Sequence, residues 1–200
     1  MYCSDRLHAL LDRLTPNNDG VGQALERVLQ DENIPRDFLF AALDRLIEQN
    51  MFDPLYLQPV MTRLAQESSL PSSVLNTLRT YRQYSPLFEG EYYVRLSDEA
   101  PPLESIAAPE ALQWIARHPL TSRETLLALA QSRTSRSFLF ERTEDDPKTF
   151  NDLIETVLDQ HPYDIEYEEL LLLAENPLLD TLRYRKILER LERDLSLIHI

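Results

Sequence analysis

Apolar residues recur along most of this chain with the three- and four-residue spacing that marks one face of a helix. Val21, Leu25 and Leu29 show the spacing in its simplest form, and charged residues fill the positions between them. Such a pattern places apolar side chains on one side of an amphipathic helix. No comparable run of period two exists, so the pattern predicts an all-α protein. We expect at least about 60% helix and at most one short strand, near 91–95.

Start signals separate these apolar stripes into individual helices. Asp53 and Asp146 each precede a proline, which combines an N-cap acceptor with the residue best suited to the first helical position. Thr121 stands three residues before a glutamate, the spacing of a capping box. The predicted helices cover 5–14, 19–31, 36–50, 54–67, 72–83, 109–117, 122–132, 147–159, 165–175 and 181–194, with a further short helix at 135–142.

Short connections and single apolar stripes determine how these helices must pack. Consecutive helices joined by a few residues lie antiparallel, and each needs a neighbour to cover its stripe. Stacked helix pairs provide one continuous seam, so we interpret the chain as an α-solenoid, either whole or a fragment of a longer array; a compact helical bundle is the alternative. The seam should bury Leu127 and Leu153. Pro119 ends one helix at His118, which we interpret as a turn residue rather than a ligand.

The second half of the chain resembles a known family through its His-Pro or Asn-Pro turns followed by leucine-rich helices. The matching residues are His118, Pro119, Leu126, Leu127, Leu129 and Ala130, then His161, Pro162, Leu170, Leu171, Leu173 and Ala174, then Asn176 and Pro177. These segments resemble the leucine-rich repeat variant family and its HEAT-like relatives. The resemblance implies a right-handed stack of short helices that serves in binding. Some members carry an iron–sulfur cluster on clustered cysteines, whereas this chain has one cysteine.

Changes in composition suggest four segments. Residues 1–84 form a predicted N-terminal helical array, and residues 108–194 form the array with the family resemblance. Between them, residues 85–107 contain a glycine and several prolines, so we expect an irregular hinge or loop there. The apolar ending at 195–200, "LSLIHI", is interpreted as a non-native or disordered tail.

Charge and cysteine content narrow the range of functions. The net charge of −14 disfavours direct binding to nucleic acid, because phosphate backbones would be repelled. A single cysteine excludes an internal disulfide and fits a reducing compartment. The N-terminus lacks the basic and apolar regions of a signal peptide, and no apolar run approaches the ~18 residues of a membrane span. We therefore expect a cytoplasmic protein without a membrane segment.

No catalytic, cofactor or metal motif is recognisable, so no cofactor is expected. The conspicuous feature is an acidic band between residues 144 and 175, with eleven acidic residues and one lysine. Such a band is either a solvated face that aids solubility or a surface that attracts a basic partner. Three aromatic residues in 85–107 are either core residues or exposed anchors. The candidate partner-binding residues are Glu144, Asp145, Asp146, Asp164, Glu166, Glu168, Glu169, Phe88, Tyr92 and Tyr93.

These features together predict a non-enzymatic helical repeat scaffold that binds another protein, with the acidic surface facing a basic partner. One alternative is an inhibitor that mimics DNA. The other is a HEAT-like enzyme acting on nucleic acid or a small substrate, which would require a cleft gathering Arg123, Arg133, Arg136 and Arg142 around a carboxylate.

Overall fold

The computed structural model describes residues 4–15, 19–31, 33–100, 102–143, 145–161 and 164–198. Helix accounts for 72% of the structure, and the described residues contain no strand. The prediction of an all-α protein is confirmed. The chain divides into two compact units, Met1–Ala100 and Pro101–Ile200.

Each unit contains six of the α-helices found in the described residues. The first unit contains α1 (Ser4–Asp12), α2 (Asp19–Leu29), α3 (Arg36–Glu48), α4 (Pro54–Ala65), α5 (Ser72–Tyr81) and α6 (Pro86–Arg95), with a 3-10 helix at Arg82–Tyr84. The second unit contains α7 (Pro109–Arg117), α8 (Arg123–Gln131), α9 (Arg133–Phe140), α10 (Pro147–Gln160), α11 (Tyr167–Ala174) and α12 (Thr181–Ile198), preceded by a 3-10 helix at Leu103–Ser105. The further short helix predicted at 135–142 corresponds to α9.

In the first unit, three of the four pairs of helices that are two apart along the chain pack together. Helix α1 contacts α3, α2 contacts α4, and α4 contacts α6, while α3 with α4 and α5 with α6 form consecutive pairs. A close approach occurs at Gly22 of α2, which faces the ring of Tyr56 in α4. The core between these helices includes the fully buried Leu43, Leu57 and Leu64.

The second unit repeats the same scheme. Helix α7 contacts α9, and α9 contacts α11; α8 contacts α10, and α10 contacts α12. Hydrogen bonds show that these neighbours run parallel, because matching ends meet. At the carboxyl ends of α9 and α11, the Asn176 amide donates to the Phe140 carbonyl at 2.8 Å and the Arg142 carbonyl at 2.7 Å. Near the amino ends of α10 and α12, the Asp180 N–H donates to Asn151 at 2.9 Å.

Arginine side chains reinforce these parallel contacts by reaching carbonyl groups near the ends of neighbouring helices. Arg45 donates to Leu11, Arg95 to Leu64, and Arg190 to Leu158, over 3.3, 3.0 and 2.7 Å. Carbonyls in the last turn of a helix lack an intrahelical donor and carry partial negative charge. A guanidinium supplies both the missing donor and a compensating positive charge. This role gives many of the chain's arginines a structural function between helices.

The buried stripes follow the sequence pattern with one correction. Leu153 is buried in α10 as predicted, at 2% exposure. Leu127 is only half-buried, because the buried face of α8 is formed by Leu126, Leu129 and Ala130. The prediction that Leu127 is buried in the seam is therefore wrong, because the preceding residue, Leu126, lies on the buried face instead. Leu129, which is fully buried, occupies the seam instead.

The segment predicted to be irregular contains a helix. Pro86–Arg95 forms α6, so the expectation of a loop is wrong for these residues, and positions 91–95 are helical rather than extended. Ser85 caps the helix by accepting from the Leu87 N–H, and Pro86 occupies the first helical turn. This is the same combination of N-cap and proline that identified α4 and α10 from the sequence.

The His-Pro interruption is a turn between α7 and α8. His118 is buried, and its Nδ1 accepts from the Leu120 N–H at 3.0 Å. Thr121, predicted to cap α8, instead donates its hydroxyl to the Ile115 carbonyl at 2.6 Å. Ser122 is the N-cap and accepts from the Thr125 N–H. The turn is therefore one residue longer than the capping-box spacing suggested.

Candidate functional site

The N-terminal part of the acidic band serves local structure. Glu144 lies outside the described residues. Asp145 forms a bidentate ion pair with Arg142, which is itself buried. Asp146 caps α10 by accepting from the backbone N–H of Thr149 at 3.0 Å. That backbone hydrogen bond, together with the Thr149 hydroxyl, lowers the pKa of Asp146.

The C-terminal part of the band divides into paired and exposed carboxylates. Glu169 is buried, and its Oε2 accepts from Arg136 at 3.3 Å and from the Glu166 N–H at 2.9 Å. Glu166 caps α11 and forms an ion pair with the exposed Arg133. Glu168 is exposed and makes no ion pair within the described part of the chain. The band is therefore less available to a partner than its sequence suggests.

An acidic corner remains at the turn between α10 and α11. We define it by Asp159, Asp164 and Glu168, which are all exposed. The Asp164 carboxylate lies 3.7 Å from Nδ1 of His161, which would add one positive charge when protonated. No other ion pair involving these three carboxylates occurs among the described residues. These three exposed carboxylates lie within ten residues of one another in the sequence and carry the negative charge expected to attract a basic surface.

The four arginines that a catalytic cleft would require are engaged separately. Arg136 and Arg142 are buried and reach carbonyls of Ala130 and Ala116 at the ends of α8 and α7. Arg123 is exposed and donates to the Thr156 hydroxyl at 3.0 Å. The fourth, Arg133, pairs with the N-cap carboxylate of α11. These contacts join neighbouring helices of the second unit to one another.

Two of the three aromatic candidates belong to the core. Phe88 is fully buried and Tyr92 is 3% exposed, which leaves neither accessible to a partner. Tyr93 is half-buried. Tyr92 also donates its hydroxyl to the Glu99 carbonyl at 3.1 Å and packs beneath the Arg82 guanidinium. The structure thus supports the interpretation of Phe88 and Tyr92 as core residues and corrects their assignment as exposed anchors.

Sequence reasoning missed a different aromatic group next to that core. Phe52 packs with Tyr81 and Tyr84 at ring-centroid distances of 6.1 and 5.4 Å. Tyr84 is 55% exposed. One tyrosine ends α5 and the other ends the 3-10 helix that follows, whereas the phenylalanine lies in the turn before α4. No local pattern in the sequence relates these positions.

A groove of about 350 Å³ lies between α2 and α4. Polar uncharged, charged and apolar side chains all contribute to its walls, which are formed by Glu26, Leu29, Gln30, Gln58, Pro59, Thr62, Arg63 and Gln66. A smaller opening of about 290 Å³ is lined by Arg117, Glu141, Arg142 and Thr143, and the first two form an ion pair of 2.6 Å.

Metal-binding and membrane-spanning elements are absent from the described residues. These residues contain no group of three or more histidine, cysteine, aspartate or glutamate side chains placed to hold a metal ion. Within the same part of the chain, every helix is too short or too polar to cross a bilayer. Comparisons with models of protein families, with curated proteins and with solved structures found no significant match.

Proposed function

We propose that this protein is an α-solenoid scaffold that binds another protein through the acidic corner. The observation that carries the proposal is the packing of helices two apart in both units. Parallel neighbours of this kind form rows in which every helix is covered on its sides and keeps one face open. Such a row offers a binding surface without requiring an enclosed pocket.

The charge distribution supports a partner with a basic surface. The chain carries a net charge of −14, and the acidic corner concentrates three exposed carboxylates at one turn. Complementary charge accelerates the encounter of two proteins before contact is made. Glu166 and Glu169 contribute less, since both already pair with arginines of the same unit.

Site-specific crosslinking tests the proposed function directly. A photo-reactive amino acid is placed at Glu168 and, as a control, at the exposed Glu124 of α8, and each variant is expressed in the source cells. We expect one protein to be captured from position 168 and not from position 124. Recovery of no protein adduct at either position, with both variants expressed and folded, would contradict the proposal.

Association kinetics with the captured protein then test the role of the acidic corner. Reversal of Asp159, Asp164 and Glu168 to lysine should slow association more than it accelerates dissociation. The control reverses Asp12 and Asp98, which are exposed carboxylates of the first unit, and the exposed Glu104. This control variant changes the net charge by the same amount, but at positions outside the acidic corner. Equal effects of the two triple variants would show that overall charge, rather than the corner, drives binding.

A further inference from the structure

The second unit exposes several large apolar residues at its C-terminal end. Leu171 of α11 is 41% exposed, and Leu182, Tyr184 and Leu188 of α12 are 56%, 41% and 37% exposed. Helix α11 packs against α12. The adjoining face of α12 is used inside the unit, where Ile187 is fully buried. Tyr184 and Leu188 lie one turn apart on the same side of α12, and exposed apolar surface of this kind commonly marks an interaction site.

The residues of α12 have the spacing of a helix-pairing seam. Tyr184, Leu188 and Leu191 follow one another at intervals of four and three residues, as seam positions of a heptad do. Leu191 is only 6% exposed, so this end of the seam lies at the edge of the buried face. The side chains become more exposed along the seam toward Leu188 and Tyr184. A second helix laid along this line would cover side chains that α11 leaves exposed.

The charges beside the seam match those of a second copy in antiparallel orientation. Arg185 and Glu192 are exposed, and neither forms an ion pair within the described residues. They lie seven residues apart on the same flank of the seam, in equivalent heptad positions. If two copies of α12 cross antiparallel near Leu188, Arg185 of each copy lies close to Glu192 of the other. Twofold symmetry then forms the pair twice.

Three other cations of α12 do not disturb this arrangement, because they are engaged with α10. Arg183 and Lys186 both pair with Glu155, the lysine at 2.7 Å. Arg190 donates to the Leu158 carbonyl at 2.7 Å. The open flank therefore carries charges of both signs, with Arg185 toward one end, Glu192 toward the other and the exposed Glu189 between them. A purely basic or purely acidic partner would meet a like charge there, whereas a second copy meets opposite charges at both positions.

We propose that this face of α12 is the interface of a homodimer, with Tyr184 and Leu188 at its centre and reciprocal Arg185–Glu192 ion pairs at its edge. This interface is independent of the acidic corner. Binding of a basic partner at the α10–α11 turn and pairing of two copies through α12 use different residues. Failure of either proposal leaves the other standing.

Sedimentation equilibrium of the full chain over a concentration series up to about 1 mM tests the dimer. We expect the average mass to rise from one copy toward two. Leu188→Glu should hold the mass at one copy, because it places a charge at the centre of the seam. Leu182→Glu is the matched control: it changes an equally large and more exposed leucine of the same helix that lies off the seam, and it should leave association unchanged.

Charge exchange tests the orientation of the pair. Arg185→Glu and Glu192→Arg should each weaken dimerisation by placing like charges together, and the double variant should restore it by reversing both pairs. Circular dichroism of every variant verifies the helix content. A wild-type chain that remains monomeric throughout the series would overturn the proposal. So would a dimer that persists in Leu188→Glu, or single charge variants that the double exchange fails to rescue.

Discussion

Gly22→Ala tests the close packing of α2 on α4. A Cβ atom added at Gly22 would lie 2.5 Å from Cε1 and 2.8 Å from Cδ1 of Tyr56. Ordinary carbon–carbon contacts begin near 3.5 Å, so the ring or the helix must move by roughly 1 Å. Tyr56 is only 6% exposed, and neighbouring side chains of α4 are fully buried. The ring therefore has little space into which it can move.

Two effects of opposite sign determine the outcome of this substitution. Alanine is favoured over glycine inside a helix by about 1 kcal/mol. Overpacking a tight interface usually costs about 1–3 kcal/mol. Because the added carbon meets a buried ring rather than the end of a flexible chain, we expect overpacking to prevail. The free energy of unfolding should fall by up to about 2 kcal/mol.

Urea denaturation followed by circular dichroism measures the change. Gly20→Ala is the matched control, since Gly20 is exposed in the same helix and should gain stability or remain unchanged. In a Tyr56→Leu background, Gly22→Ala should become neutral or stabilising, because the ring atoms that it would meet are absent. An alanine at position 22 that stabilises the protein while Tyr56 is present would refute the close approach of α2 and α4.

Three further predictions concern the second unit. Leu129→Ala should lower the free energy of unfolding by about 2–5 kcal/mol, whereas Leu127→Ala should cost clearly less, and thermal or urea denaturation of both variants locates the seam. Asn176→Ala should destabilise by about 1–3 kcal/mol, because it leaves two carbonyls at the end of α9 without their donor; equal stability of Asn176→Ala and the wild type would contradict that role. Hydrogen bonds from Lys186 and Arg183 of α12 lower the pKa of Glu155. The stability that the ionised Glu155 side chain contributes is therefore complete above about pH 4.3, and it is lost as the pH falls through the lower pKa of the folded state. Stability curves of wild type and Glu155→Gln should converge below that range, and curves that remain parallel would argue against the ion pair.

The positions of most helices could be predicted because the relevant signals are local. Asp53 and Asp146 before prolines identify α4 and α10, and both cap as expected by accepting from backbone N–H groups. The sequence pattern does not reveal helix α6, although Ser85 precedes a proline in the same way. The apolar stripe of α6 is interrupted by Glu91, which looks like a surface residue in the sequence. In the structure Glu91 is fully buried and pairs with Arg95 at 2.8 Å.

The candidate site was harder to predict because its contacts join distant residues. Glu169 appears in the sequence as one carboxylate among many, yet its partner Arg136 lies 33 residues away. A count of charges therefore overstated the exposed acidic surface. The sequence pattern leaves Phe88 and Tyr92 open between core residues and exposed anchors for a related reason, because only the packing of α6 shows that they occupy its buried face.

Distances between spin labels on α10 and α12 test the central claim, that helices two apart stack in parallel rows. Cys3 is replaced by serine, and labels are attached to cysteines at Asp152 with Thr181 or at Asp159 with Thr181, three positions that are exposed. We expect the 152–181 distance to be the shorter one, by up to about 10 Å for seven residues of helix. A shorter 159–181 distance would mean that α12 runs antiparallel to α10, and it would contradict the parallel stacking.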